Sequence, residues 1–272
     1  MSIITNTNIP VHGNYHGYYS KRSSSADPRL ALLPPSIFEG KRVLDIGCNE
    51  GWVTCEIAQR CGATKVVGVD IDDALIRAAW KRRRTVWSLE AHPEESSDKK
   101  KRKRDAEDVR PSVSMRHDYF PASCEHMFGP LPVPPFQATE SHNFPHNLSF
   151  RTADWVEQDI PEDAEGYDVI LAFSITKWIH LNGGDSAVLR FFKRVFTSLK
   201  SGGSFILEPQ PWDTYGKAKR MHPTLKETAK SLQLRPDNFE AELKKIGFTG
   251  ARHLGLAGEG GFKRPVDLYV KP

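Results

Sequence analysis

Residues 41–51 read KRVLDIGCNEG, and this stretch decides the fold. Residues 42–46 form a short apolar run that carries one acid, Asp45. Gly47 and Gly51 then bracket a tight turn holding Cys48, Asn49 and Glu50. From residue 52 to 61 the pattern turns helical. A strand, a glycine-bearing turn and a helix make the first half of a nucleotide-binding βαβ unit. A second apolar run, KVVGVD at 65–70, ends on Asp70. That acid lies about 20 residues beyond the glycines, where such folds set a carboxylate on ribose hydroxyls.

The turn departs from G-x-G-x-x-G, because Asn49 stands in the middle glycine's place. A pyrophosphate needs a bare backbone there, so a dinucleotide is disfavoured. The pattern suits a cofactor without phosphate, namely S-adenosylmethionine. The plain alternative is a structural turn in an α/β core.

The 272 residues are enough for one sizeable core. No run of 18 apolar residues occurs, so no membrane helix is expected. The polar start, MSIITNTNIP, does not read as a signal peptide. Cys48, Cys55, Cys61 and Cys124 show no CxxC spacing, which fits reduced thiols in the cytosol or nucleus. The ten histidines form no HExxH, so no metal site is expected. Net charge is +4, yet KKKRKR at 99–104 supplies +6, leaving −2 for the rest. The body is therefore not a generally basic nucleic-acid binder. Any such contact rests on local patches such as 81–84 and 217–220.

Residues 1–40 read as an N-terminal arm and 41–272 as the catalytic domain. Residues 1–12 look unstructured. HGNYHGYYSKR at 12–22 is tyrosine-rich and basic, and reads as satellite packing or as a lid over a ligand. A helix is expected from Asp72 that ends in KRRR at 81–84, a solvated end or an RNA-backbone contact. From about 91 to 145 periodicity fails amid charge blocks and prolines, which predicts a disordered insertion. Its basic run suits nuclear import, an RNA tether or a solvated loop. A third strand falls near 149–155 and a buried strand at 167–174. Asp185 is placed to cap the next helix, which Gly202 and Gly203 should stop. A fifth strand follows in GSFILEPQPW, then a helix near 236–246. Two last strands should form an edge hairpin near 248–254 and 265–271. Strands alternating with helices predict a doubly wound, mostly parallel seven-stranded sheet in a single domain. Its ligand belongs beyond the carboxyl ends of the strands. Lys177 and His180, three apart, should share a helix face and suit an anion. A capping lysine and a core histidine remain the structural alternative.

Several motifs together, GNYHGYY, VLDIGCNEG, VGVDID, ITKWIHLNGGD, LEPQPWDTYGK and GFKRPVDLYV, resemble the bicoid-interacting family of 7SK-type RNA methylphosphate capping methyltransferases. The resemblance implies the class I S-adenosylmethionine-dependent fold and methyl transfer to the γ-phosphate at an RNA 5′ end. It implies cofactor contacts from Tyr19, Arg29, Gly47, Cys48, Asn49, Gly51, Asp70, Ile71, Asp154, Trp155 and Phe173, the last in place of a usual leucine. It implies substrate-phosphate contacts from Tyr18, Arg22, Lys177 and His180. It also implies action on a small non-coding RNA alongside La-related RNA-binding proteins, and the basic run at 99–104 predicts a nuclear protein, with the cytoplasm as the alternative. Two alternatives stand beside it: methylation of an RNA 5′-monophosphate, and an RNA-binding scaffold or chaperone with secondary catalysis. GKAKR after PWDTY favours the γ-phosphate branch.

Overall fold

The computed structural model describes residues 10–15, 18–19, 27–89, 122–133, 142–258 and 263–272. The apolar runs become seven strands: β1 (Arg42–Ile46), β2 (Lys65–Asp70), β3 (Leu148–Thr152), β4 (Tyr167–Phe173), β5 (Leu199–Glu208), β6 (Arg252–Ala257) and β7 (Arg264–Val270). They form one sheet in the order β3-β2-β1-β4-β5-β7-β6. The first five run parallel, and β7 pairs antiparallel with both β5 and β6. The expected edge hairpin is therefore present, with its second strand on the inside against β5.

Among the described residues seven α-helices join or flank the strands: α1 (Trp52–Arg60), α2 (Asp73–Leu89), α3 (Ala122–Phe128), α4 (Thr176–Ser198), α5 (Tyr215–Ala218), α6 (Pro223–Ser231) and α7 (Phe239–Ile246). Alternate strand residues face opposite layers. Val43, Val66, Val169 and Ile206 pack with Val53, Ile57 and Ile76 of α1 and α2. Leu44, Val67, Ile170 and Phe205 pack with Phe191, Phe192 and Leu243 of α4 and α7. Gly68 sits where a Cβ would meet the Phe150 ring at 2.6 Å and Cys48 Sγ at 3.0 Å. The glycine lets β2 pass beneath the turn after β1.

Several local expectations change. Residues 10–13 are not featureless: the Gly13 N–H donates to the Pro10 carbonyl at 2.9 Å, closing a turn. The KRRR run does not end its helix, since α2 continues to Leu89. It is not simply solvated either. The Arg82 guanidinium lies 3.1 Å from the Trp52 ring centroid, and Arg83 Nε donates to the Pro145 carbonyl at 2.9 Å. Within the expected insertion, α3 forms and ties back to α2 through Thr85 Oγ1 and Glu125 Oε1, 3.0 Å apart. The basic run at 99–104 lies outside the described residues.

Helix α4 is broken at Gly184, whose φ of 70° and ψ of −173° are not helical. Asp185 follows the break, but its carboxylate does not cap the second segment. It accepts from the backbone N–H groups of Gln233 and Leu234 at 3.0 and 3.1 Å, and contacts His180. The helix stops at Ser198, and Gly202 and Gly203 fall inside the first turn-like stretch of β5 instead.

Candidate active site

The carboxyl ends of β1 to β4 open into a cavity of about 900 Å³. Its floor begins at the turn after β1. Gly47, Asn49 and Gly51 all have positive φ, 74°, 53° and 74°. Asn49 tolerates that left-handed backbone better than most residues because its short amide bonds locally. At Gly51 the conformation starts α1, and a Cβ would meet Phe150 at 2.8 Å and Ala79 at 3.0 Å.

Asp70 closes the turn from the neighbouring strand. Its Oδ2 accepts the Asn49 N–H at 2.9 Å and its Oδ1 accepts the Asp72 N–H at 3.0 Å. Burial pushes its carboxyl up to about 6, against the opposing pull of these two hydrogen bonds. The Ile71 backbone N–H adds a third such bond; an ionised carboxylate has about four acceptor positions, so one remains for a ligand hydroxyl. One strand over, Asp154 and Trp155 line the same cavity after β3, with Ile71 and Phe173 supplying apolar wall. Trp155 is fixed by its indole N–H to Asp163 Oδ1 at 3.2 Å and by the Arg194 guanidinium 4.5 Å above its ring.

A strap from the arm crosses the cavity. Asn182 Nδ2 donates to the Val11 carbonyl at 2.9 Å, Asn14 Nδ2 to Asp72 Oδ2 at 2.6 Å, and Asn49 Nδ2 to the Tyr15 carbonyl at 3.1 Å. Gly13 packs flat on the Trp178 indole, where no Cβ fits. Tyr18 and Tyr19 also line the cavity, and Tyr19 stacks on Trp52 with centroids 5.9 Å apart.

Lys177 lines the same cavity. It is 8% exposed, and burial first, then the Arg264 guanidinium, lower its ammonium to about 8. Its Nζ lies 3.4 Å from Thr214 Oγ1.

Four residues expected at the site do not line it. Cys48 is buried beneath the turn, where burial pushes its thiol well up. Gly51 serves the start of α1. Arg29 lies behind Tyr19 and Phe173, committed to Asp27 Oδ2 at 2.7 Å, Glu208 Oε2 at 2.9 Å and Tyr19 Oη at 3.0 Å. It therefore braces the cofactor wall rather than forming it. His180 turns away from Lys177, fully buried among Trp212, Tyr215 and Phe239. Its Nε2 lies 2.6 Å from Asp185 Oδ1 and its Nδ1 lies 3.2 Å from Tyr215 Oη. A carboxylate can only accept, so Nε2 carries the proton. Burial lowers the imidazole's affinity for a second one, so Nδ1 accepts from the tyrosine hydroxyl. The structural alternative holds for this histidine. Arg22 lies outside the described residues.

Sequence reasoning missed Asn14, Asn182, Gln210, Thr214 and Arg264, all of which line the cavity. Arg264 sits in the GFKRPVDLYV motif, which was the available signal. Asn14 sits in GNYHGYY, Asn182 in ITKWIHLNGGD, and Gln210 and Thr214 in LEPQPWDTYGK, but membership of a motif does not show which of its residues face the cavity. Among the described residues no cluster of three His, Cys, Asp or Glu side chains is arranged to hold a metal ion, and no helix is long and apolar enough to cross a membrane.

The Bin3 family model, bicoid-interacting protein 3, matches residues 167–271, and a methyltransferase-domain model matches residues 43–105. The U6 snRNA methylphosphate capping enzyme Amus of Drosophila melanogaster is 32% identical over 96% of this chain and 74% of its own length. This chain belongs to the Bin3 family. Another relative, the 7SK snRNA methylphosphate capping enzyme of Mus musculus, is 37% identical over 96% of this chain, which spans 40% of that relative's length. The fold of this Bin3 chain is that of magnesium protoporphyrin IX methyltransferase from Synechocystis PCC 6803, with a TM-score of 0.52 at 13% identity over 90% of this chain and 76% of that one. Bin3 membership and this likeness establish the class I S-adenosylmethionine-dependent methyltransferase fold.

The residues present fit S-adenosylmethionine. Asn14 Oδ1 and Asn49 Oδ1 are buried acceptors without a partner, and both residues line the cavity, as an ammonium-bearing ligand requires. Asp70 offers its remaining acceptor position to a ribose hydroxyl, and Asp154 offers a carboxylate to a ring amino group.

Proposed function

We propose that this chain methylates a phosphate oxygen at the 5′ end of an RNA, with the γ-phosphate of a small non-coding RNA as the acceptor. One observation carries the reading. A single cavity is lined both by the Asn49, Asp70 and Asp154 cradle and by the buried lysine Lys177. The names of the Bin3 relatives support the same chemistry.

When bound, S-adenosylmethionine supplies an electrophilic methyl group on a sulfonium. The residues here position what meets it. A terminal phosphate has its second pKa at about 6, so at neutral pH its oxygen is already an anion and needs no general base. Lys177 holds that phosphate by charge, and Tyr18 and the strap enclose it. Excluding water strengthens the grip. Binding that neutralised the oxygen would quench it, so the cation's task is orientation.

The test is methyl transfer from a labelled donor to one RNA prepared with a triphosphate, a monophosphate or no phosphate at its 5′ end. Transfer confined to the triphosphate form is expected. Preference for the monophosphate would move the chain to the sister reaction. Equal transfer to the dephosphorylated RNA would overturn the reading, and RNA binding without transfer would favour a scaffold. The run at 99–104 supports nuclear import, which a KKKRKR→alanine variant followed by microscopy checks. La-related RNA-binding proteins are kept as partners on family resemblance, to be checked by co-precipitation.

A further inference from the structure

Arg264 opens β7 and is 7% exposed. Its Nη1 donates to Ser174 Oγ. Ser174 Oγ in turn donates to Glu208 Oε2 at 2.5 Å, and the same carboxylate oxygen accepts Arg29 Nη1 at 2.9 Å. The Ser174 backbone is left-handed, with φ 60°, and its carbonyl accepts Gln210 Nε2. The hydroxyl is thus held from both sides: its proton points to Glu208 and a lone pair to Arg264.

This hydrogen bond steadies a guanidinium that lines the same cavity wall region as Lys177. The two cations repel. Arg264 is the largest cause after burial of the lowered Lys177 ammonium, and Asp213 offsets it only in part. Two cations that line one cavity make a place where an anion is favoured. The two side chains would also divide the work. A guanidinium presents a flat fork of N–H donors that fixes a phosphate's orientation, and an ammonium supplies a point charge.

We propose that Arg264 and Lys177 together form an anion subsite for the 5′-terminal phosphates, with Ser174 as the positioning residue that aims the guanidinium. The identity of the anion as an RNA end rests on the function proposed above; the existence of the subsite does not.

The test separates the two. Inorganic tripolyphosphate, without RNA or methyl donor, is titrated calorimetrically into the full chain. Arg264→Gln and Lys177→Gln should each weaken its binding by about tenfold or more, while affinity for S-adenosylhomocysteine stays within a few-fold of wild type. Tripolyphosphate affinity unchanged in Arg264→Gln overturns the proposal, as does a wild-type chain that binds none. Should Arg264→Gln not fold, Arg264→Lys keeps the charge and loses the fork; several-fold weaker binding supports the subsite and unaltered binding overturns it. Ser174→Ala should raise the RNA KM with little change in kcat; a kcat loss with unchanged KM would remove Ser174 from the positioning role. If tripolyphosphate binds as expected but no phosphorylated RNA is methylated, the proposed function falls and the subsite stands.

Discussion

Asp70 Oδ2 accepts a hydrogen bond from the Asn49 backbone N–H at 2.9 Å, so the acid ending β2 clamps the turn that follows β1. The clamp leaves part of the carboxylate free toward the cavity. Asp70→Asn keeps the shape but loses charge and an acceptor. Hydrogen bonds to a charged group contribute about 1.5–3 kcal/mol. Affinity for S-adenosylhomocysteine should therefore fall roughly 10- to 100-fold by calorimetry, with the melting temperature nearly unchanged or raised.

Asp45 should make stability depend on pH. It is 3% exposed, accepts Thr54 Oγ1 at 2.7 Å, and burial lifts its carboxyl from 3.8 to about 6. Between these values the folded chain holds a proton that the unfolded chain has released. Stability contributed by the protonated form is therefore lost as pH rises from about 4 to about 6. The change corresponds to about 3 kcal/mol as an upper bound. Asp45→Asn should be more stable than wild type at pH 7.5 and no more stable at pH 4. Parallel urea midpoints at both pH values would refute this.

Lys177 gives the reaction its alkaline limb. Its ammonium is lowered to about 8 by burial and Arg264, opposed by Asp213. Above that pH the neutral amine no longer holds a phosphate. The kcat/KM for RNA should fall tenfold per pH unit above about 8, while the phosphate's own ionisation sets an acid limb near 6. Lys177→Arg should shift the alkaline limb well upward, because a guanidinium stays charged. An unmoved limb would assign it to another group.

Gly51 tests the turn. Its φ of 74° and the Phe150 ring 2.8 Å from a built Cβ act together. Gly51→Ala should destabilise the chain by about 1–3 kcal/mol or more, read as a lower urea midpoint with an unchanged slope.

His180 is a fold residue, and its variants should behave as such. His180→Ala leaves Asp185 and Tyr215 without their partner and opens a cavity among three aromatic rings. A loss of about 2–4 kcal/mol is expected. The activity of the folded fraction should stay within a few-fold of wild type. A large drop in kcat at unchanged stability would return His180 to the phosphate site.

The strand, turn and helix at 42–60 were legible because three signals agree there: an apolar run, two glycines with positive φ and a helical period. Asp70 and Asp154 were legible as acids or near-acids at strand ends, once the strands were placed. His180 misled because spacing alone gives a helix face and not what that face meets; α6, α7 and the Asp185 staple decide it. Arg29 misled in the opposite sense, since a motif position cannot tell a residue that touches a ligand from one that braces the wall. Asn49 was legible in the glycine turn, whereas Asn14 and Asn182 sit in quoted motifs that do not show what those side chains face. Asn14 and Asp72 meet across 58 positions, and only the closed fold brings them together.

The antiparallel seat of β7 between β5 and β6 has a consequence for biosynthesis. Glu208 collects Arg29 directly and Arg264 through Ser174, one residue preceding the first strand and the other opening the last. While β7 is still inside the ribosome, a nascent chain has already exposed the glycine turn and Asp70 but has only half of this junction. The junction is therefore complete only once β7 has emerged and docked, and the cavity should reach its final form at that point.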